Sequence, residues 1–149
     1  MFYLSKRSLG NLEGVNEGLV EVVHRAIELT EVDFAVIDGV RSLAKQKEYV
    51  ASGASWTMKS KHITGDAVDL MAYHRKRACW ELDFYDEIAD AMREAALEVG
   101  VGIRWGACWN IPDICDWKGT TEEAVQCYIV EKIAQGKRPK IDAPHFELA

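Results

Sequence analysis

"AVDLMAY", residues 67–73, is the stretch on which the fold turns. Its apolar and β-branched residues read as a strand, yet an aspartate occupies its third position. The preceding "KSKHITGD" (59–66) carries a histidine and a second aspartate up to the strand's start. Side chains alternate across a strand, so Val68 and Leu70 share one face while Ala67, Asp69 and Met71 share the other. The same alternation in the C-terminal "PHFELA" (144–149) places Phe146 and Leu148 on one face and His145 and Glu147 on the other. If the apolar faces pack on helices, Asp69 and His145 meet on the open side of a sheet. That pattern predicts an α+β domain with helices packed on a small sheet.

The flanking sequence supplies the helices. In "VNEGLVEVVHRAIELT" (15–30), Val15, Leu19, Val22, Val23, Ala26 and Ile27 fall on one helical stripe. "VDFAVIDGV" (32–40) follows as a strand ended by Gly39. Ser42 is placed to cap a second helix running to about Ala51, with Gly53 just past its end. After the central strand, Asp83 is expected to cap a third helix in which Phe84, Ile88, Ala91, Met92, Ala95 and Val99 repeat at helical spacing until Gly100. "VGIRWG" (101–106) is a short strand, and "GTTEEAVQCYIVEKIAQG" (119–136) a fourth helix with Thr120 and Glu123 as a capping box and Gly136 closing it. No repeat or linker interrupts this order, so residues 1–149 read as one domain.

Composition narrows the function classes. With 48% apolar and 28% charged residues the chain matches a soluble globular protein. No segment approaches the roughly 18–20 apolar residues that span a bilayer. The N-terminal "MFYLSKRSLGNLEG" lacks the uninterrupted apolar stretch of a signal peptide. A net charge of -6, with basic residues only in the short clusters "HRKR" (74–77) and "GKRPK" (136–140), argues against a nucleic-acid partner; both clusters read as solvated loops. Cys79, Cys108, Cys115 and Cys127 form no C-x-x-C pair, which speaks against a zinc ribbon or a thioredoxin-type motif and for reduced thiols.

The ionisable residues around the central strand suggest a metal. His62 precedes Asp69 by seven residues with Gly65 between, so a tight reversal returns the imidazole over the carboxylate. Together with His145 this gives two imidazoles and one carboxylate, a set suited to catalytic zinc with its fourth position left for water. Asp142 lies three residues before His145 in "DAPH", where Pro144 fixes the backbone. There it could accept a proton from an activated water, or it could be a turn aspartate bonded to its own backbone. His24, within an amphipathic helix, His74, beside the basic cluster, and Asp66, in the loop, are not expected to be ligands.

"SKHITGDAVDL" (60–70) resembles the S-x-H-x-x-G-x-A-x-D pattern of the VanY-like zinc peptidases, which include D-alanyl-D-alanine carboxypeptidases and phage L-alanyl-D-glutamate endopeptidases. "DAPHFEL" (142–148) resembles their second motif, "GIRWGACW" (102–109) the I-R-W-G-G-x-W segment of the endolysin branch, and "DGVRS" (38–42) its G-x-R-S segment. The resemblance runs from about Asp38 to the C-terminus. It implies a hedgehog/D,D-peptidase-like fold: a small, mainly antiparallel sheet with helices on one face and a zinc cleft on the other. It further implies one Zn2+ held by His62, Asp69 and His145, Asp142 as general base, Arg41 in substrate binding and oxyanion stabilisation, and Ser60 as a substrate-binding residue beside the cleft. Ala107 and Cys108 stand where this branch usually has glycine and aspartate, a departure expected to alter the cleft wall. The function so implied is hydrolysis of the L-alanyl-D-glutamate bond of the peptidoglycan stem peptide, causing bacterial lysis, by a monomer that neither binds nucleic acid nor inserts in a membrane. Such an enzyme is made in the host cytoplasm and reaches the cell wall with the help of a holin. The alternatives are a D,D-carboxypeptidase acting on terminal D-Ala-D-Ala and a non-catalytic zinc-stabilised binding domain.

Overall fold

The computed structural model describes residues 1–149, and its sheet is organised around β2 (Ala67–His74). Along one edge β2 pairs with β1 (Asp33–Asp38). Along the other it takes β5 (His145–Leu148) at its start and the short β3 (Arg77–Cys79) at its end. β4 (Ile103–Trp105) lies outside β5, and every pairing is antiparallel. The register sets Asp69 directly opposite His145 and Val68 opposite Phe146, as the alternation of side chains requires.

Five helices accompany the sheet: α1 (Lys6–Asn11), α2 (Glu17–Leu29), α3 (Leu43–Ser52), α4 (Leu82–Val99) and α5 (Thr121–Ala134). The core joins Leu19, Val22, Val23 and Ala26 of α2 and Ile88, Met92 and Ala95 of α4 to Val68, Leu70, Ile103 and Phe146 of the sheet. Each large apolar side chain buried this way contributes about 1.5–3 kcal/mol. Trp105 stacks on Phe146 with ring centres 6.0 Å apart. Its indole N–H donates to the Ala143 carbonyl at 2.7 Å, so the last core residues also fix the segment leading into β5. One face of the sheet is thereby filled with hydrocarbon, and Asp69, His145 and Glu147 stand on the other.

The helix termini follow local chemistry. Ser42 accepts from Lys45 N and Gly53 closes α3 in the left-handed region. Thr120 accepts from Glu123 N and its hydroxyl donates to the Glu123 carboxylate. Asp83 does not cap α4. That helix starts two residues earlier than such a cap requires, at Leu82; Glu81 occupies the cap position without a side-chain bond, and Asp83 lies in the first turn, where a negative charge complements the helix dipole.

Two features lie outside the elements expected from the sequence. "HRKR" is the turn of the β2–β3 hairpin, with Arg75 and Lys76 at φ of 52° and 65°. Two successive positive φ values match the twist of the flanking strands and make a tight two-residue connection. His74, exposed, stacks on Phe84 at 5.3 Å between ring centres. The N-terminal segment forms α1, which blunts the free edge of β1: Ser8 Oγ accepts from Val36 N at 3.0 Å, and Asn11 Nδ2 donates to Val36 O at 2.8 Å. All four cysteines are free thiols, and no helix is long and apolar enough to cross a membrane.

One core-side group is out of balance. An Asp86 carboxylate oxygen on α4 is buried without a hydrogen-bond partner. Burial, then repulsion from Glu122, Asp83, Asp90 and Glu87, pushes its pKa up to about 7 from an ordinary value near 3.8. A folded-state pKa above the unfolded one means stability is lost as pH rises between those two values. Asp86→Asn should therefore melt at a higher temperature than the parent at about pH 8, by about 1 kcal/mol of stability, and match it at about pH 4 and below. Differential scanning calorimetry across that range checks the prediction.

Candidate metal centre

The loop from α3 to β2 delivers His62. Gly65, at φ of +77°, packs so closely on the Gly14 carbonyl that a Cβ there would approach it to 2.6 Å, and this gives the loop its tight reversal. His62 is held on three sides: its N–H donates to Ser60 Oγ at 3.2 Å, its carbonyl accepts from Arg41 N at 2.9 Å, and its Nδ1 lies 2.8 Å from the Gly39 carbonyl. A carbonyl only accepts, so Nδ1 carries the proton and the Nε2 lone pair faces Asp69 Oδ1 at 3.2 Å.

His145 comes from the other side. Its Nδ1 is 3.3 Å from the same Asp69 oxygen, and its Nε2 is 2.8 Å from Glu147 Oε1. The other Glu147 oxygen pairs with Lys61 Nζ at 3.2 Å. The two imidazoles meet edge to face at 5.0 Å between ring centres. The candidate ligand atoms of His62, Asp69 and His145 all lie within 4.8 Å of one another. Of the three, His62 and His145 are buried and Asp69 nearly so.

The electrostatics fit a cation among these three groups. Burial alone would raise the Asp69 carboxyl, but hydrogen bonds with His145 and His62 overcome that and hold it far below the usual carboxylate range. Burial likewise disfavours the charged imidazole of His145, yet Asp69 and Glu147 reverse the effect and raise its pKa. Two acceptors, the His62 Nε2 lone pair and the Asp69 carboxylate, face each other at hydrogen-bond distance, an arrangement that requires a proton or a metal ion between them. The donor set therefore suits a divalent metal, with Gly39 and Glu147 orienting the two rings.

A cleft of about 690 Å³ opens over this centre, lined by His62, Asp69, His145, Asp142, Arg41 and Ser60 among others. The structure thus brings together every site residue expected from the sequence. Asp142 enters through a turn in which its carbonyl accepts from His145 N at 3.1 Å and its N–H donates to Gly106 O at 2.8 Å. The turn is closed by backbone, and the Asp142 carboxylate is left for the cleft. Burial, then repulsion from Asp69, raises its pKa against the opposing effects of His145, His62 and Arg41.

Arg41 is buried and tightly held. It donates to Asp38 through Nε and Nη2 and to Gln46 through Nη1, packs 4.5 Å over the Tyr49 ring, and reaches Asp69 Oδ2 at 3.5 Å. Gln46, fully buried, donates in turn to Ser55 Oγ and the Thr57 carbonyl, tying this arginine to the loop that forms one rim. Ser60 lines the cleft and spends an acceptor position on His62 N. Ala107 and Cys108 do not form the cleft wall: both are fully buried in the core, and burial pushes the Cys108 thiol up to about 12.

Sequence reasoning missed Asp38, Gln46, Lys61, Arg104 and Trp109. Glu147 was placed on the correct face by alternation, but its bond to His145 was not anticipated. Gln46 had a signal in hindsight, being a polar residue on the inward side of α3 one turn past Arg41.

The family model for phage L-alanyl-D-glutamate peptidases matches residues 1–149. The chain is 36% identical over 113 residues to the L-alanyl-D-glutamate peptidase of Escherichia phage T5, covering 73% of this chain and 82% of that protein. It is 25% identical over 111 residues to the L-alanyl-D-glutamate peptidase of Listeria phage A118, covering 72% of this chain and 38% of the relative. The crystal structure of the Serratia marcescens L-Ala D-Glu endopeptidase ChiX superposes with a TM-score of 0.72 at 35% identity, covering 99% of this chain and 90% of that one. The fold, the polar face of its sheet and these similarities agree: the chain belongs to the phage L-alanyl-D-glutamate peptidase family.

Proposed function

We propose that the chain is, over its whole length, a single zinc peptidase domain that hydrolyses the L-alanyl-D-glutamate bond of the peptidoglycan stem peptide and so acts as a lytic enzyme on the bacterial cell wall. The observation that carries the proposal is the convergence of His62, Asp69 and His145 at the floor of a cleft that also holds an uncommitted carboxylate, Asp142. His62, Asp69 and His145 would hold one zinc ion. When bound, zinc supplies Lewis-acid polarisation of a carbonyl and acidification of water.

The protein's own groups complete the chemistry. Asp142, spared from any hydrogen bond within its turn, is the group available to take a proton from the attacking water and return it to the leaving amine. Its burial favours the protonated form, as a group that must alternately gain and lose a proton requires. Arg41, already paired with Asp38, presents a fixed positive charge beside Asp69 and so steadies that carboxylate at the edge of the cleft. Ser60 acts chiefly by holding the His62 backbone, with its hydroxyl proton free for the substrate. Two features, the ligand set with its extra carboxylate and the similarity to named endopeptidases, favour endopeptidase chemistry over a non-catalytic metal-stabilised module.

Mass spectrometry of muropeptides digested by the purified protein tests the reading, since cleavage between L-alanine and D-glutamate and release of terminal D-alanine give different products. Chelation should abolish the digestion and added zinc restore it. Asp142→Ala should keep one zinc per chain by elemental analysis while turnover falls by a factor of roughly 10² to 10⁴; wild-type lytic activity in that variant would remove Asp142 from the mechanism. Glu147→Gln, which weakens the carboxylate partner of His145, should lower zinc affinity roughly 10- to 100-fold in a competition titration.

A further inference from the structure

The cations around the cleft are not equivalent. Arg41 is compensated by Asp38 and Asp69, and Lys61 by Glu147. Lys59 and Lys140 are exposed, with Lys140 resting over the Trp56 ring. Arg104 differs from all four. Between the fully buried Ile103 and Trp105 of β4, it stands on the polar face of the sheet, directly across from Glu147. Glu147 does not neutralise it, because its oxygens are taken by His145 and Lys61. Arg104 instead donates through Nε, at 3.1 Å, and Nη2 to one backbone carbonyl, that of Trp109, and packs 5.3 Å over the Trp109 ring. Nη1 makes no hydrogen bond, and no carboxylate forms an ion pair with the guanidinium.

The result is a positive charge fixed in orientation without an anion to balance it. An arginine held by carboxylates has its charge spent internally. Here a neutral carbonyl and an indole face do the holding. The Trp109 ring that braces Arg104 also stands 5.4 Å from the His145 ring, so the unspent charge adjoins the metal centre. The Trp109 indole N–H, buried without an acceptor, is a second donor on this rim with no partner in the protein.

The substrate chemistry supplies a matching anion. A D-glutamyl residue on the leaving side of the scissile bond has two carboxyl groups, and only one of them is used to continue the stem peptide. The other remains a carboxylate a few bonds from the scissile nitrogen. Resting on the endopeptidase reading above, we propose that Arg104 is a specificity-determining residue that binds this free carboxylate, with Trp109 as its brace. Arg41 and Arg104 then divide the work: Arg41 is spent on the metal-ligand network, and Arg104 reads the substrate.

The test uses the zinc-loaded full chain and two muropeptides identical except that the free carboxylate of the D-glutamyl residue is a carboxamide in one. The parent should prefer the carboxylate substrate by roughly 10- to 100-fold in kcat/KM, the value expected of one charge-assisted hydrogen-bonded contact. Arg104→Gln should bring that ratio close to one, and Arg104→Lys, which keeps the charge but not the fork, should leave an intermediate ratio. Near-UV circular dichroism and zinc content establish that each variant retains the fold and metal. If the parent shows no preference, or if Arg104→Gln keeps the parent's ratio, the subsite is wrong while the endopeptidase reading stands. If the parent cleaves neither muropeptide between L-alanine and D-glutamate, the endopeptidase reading itself fails and takes this inference with it.

Discussion

The carboxylate of Asp69 is the constraint from which the rest of the structure follows. It projects from a strand whose other face is core, so it cannot swing away to solvent without withdrawing Val68 and Leu70 from their neighbours. A carboxylate so placed, with no cation beside it, would cost several kcal/mol. His62 and His145 are the response, one carried in on a loop and one on the adjoining strand. Each ring is then oriented by a further acceptor, Gly39 carbonyl for the first and Glu147 for the second. Arg41 closes the remaining side. Charge is layered outward from one carboxylate, and each layer depends on backbone that the hydrophobic core has already fixed.

This layering explains why polar residues in the cleft fall into two kinds. Those facing inward, Arg41, Gln46 and Glu147, have their hydrogen-bonding capacity consumed by other protein groups, which makes them rigid supports. Those facing the opening, Asp142 and Arg104, are held by backbone or by neutral groups, and no oppositely charged side chain hydrogen-bonds to either. A site that must bind a peptide and move protons along it needs both kinds, since a support that can also bind substrate would lose its position on each turnover.

Much of this was legible in the sequence because the site lies on strands, where alternation assigns a face to each residue without further knowledge. Asp69 and His145 were placed together by counting in twos, and the helix stripe of α2 was recovered from its apolar spacing. Spacing also pointed to His62 and Asp142, and the family motifs added Arg41 and Ser60; all four line one cleft. What remained hidden depends on packing between segments far apart in the chain. Ala107 and Cys108 follow a strand by only a residue or two, and nothing local shows that this short segment turns into the core. The start of α4 was misjudged because an aspartate in the first turn satisfies the helix dipole as readily as one at the cap. The short α1 lacks apolar periodicity, and its purpose, to occupy the edge of β1, exists only once that edge has formed.

The pairing of Asp69 with His145 joins residues 76 apart in sequence. A contact of that separation carries the entropic cost of closing a long loop, which must be met before the contact returns any free energy. The β1–β2 pairing, from Asp33 with Tyr73 to Asp38 with Asp69, joins residues nearer one another, whereas the ligand set is complete only after β5 has docked. A metal ion that binds the finished set and not the open chain adds its binding free energy to the native state alone. An ion held by His62, Asp69 and His145 would thus tie β5 to the sheet, and a chain with β5 undocked has no complete ligand set.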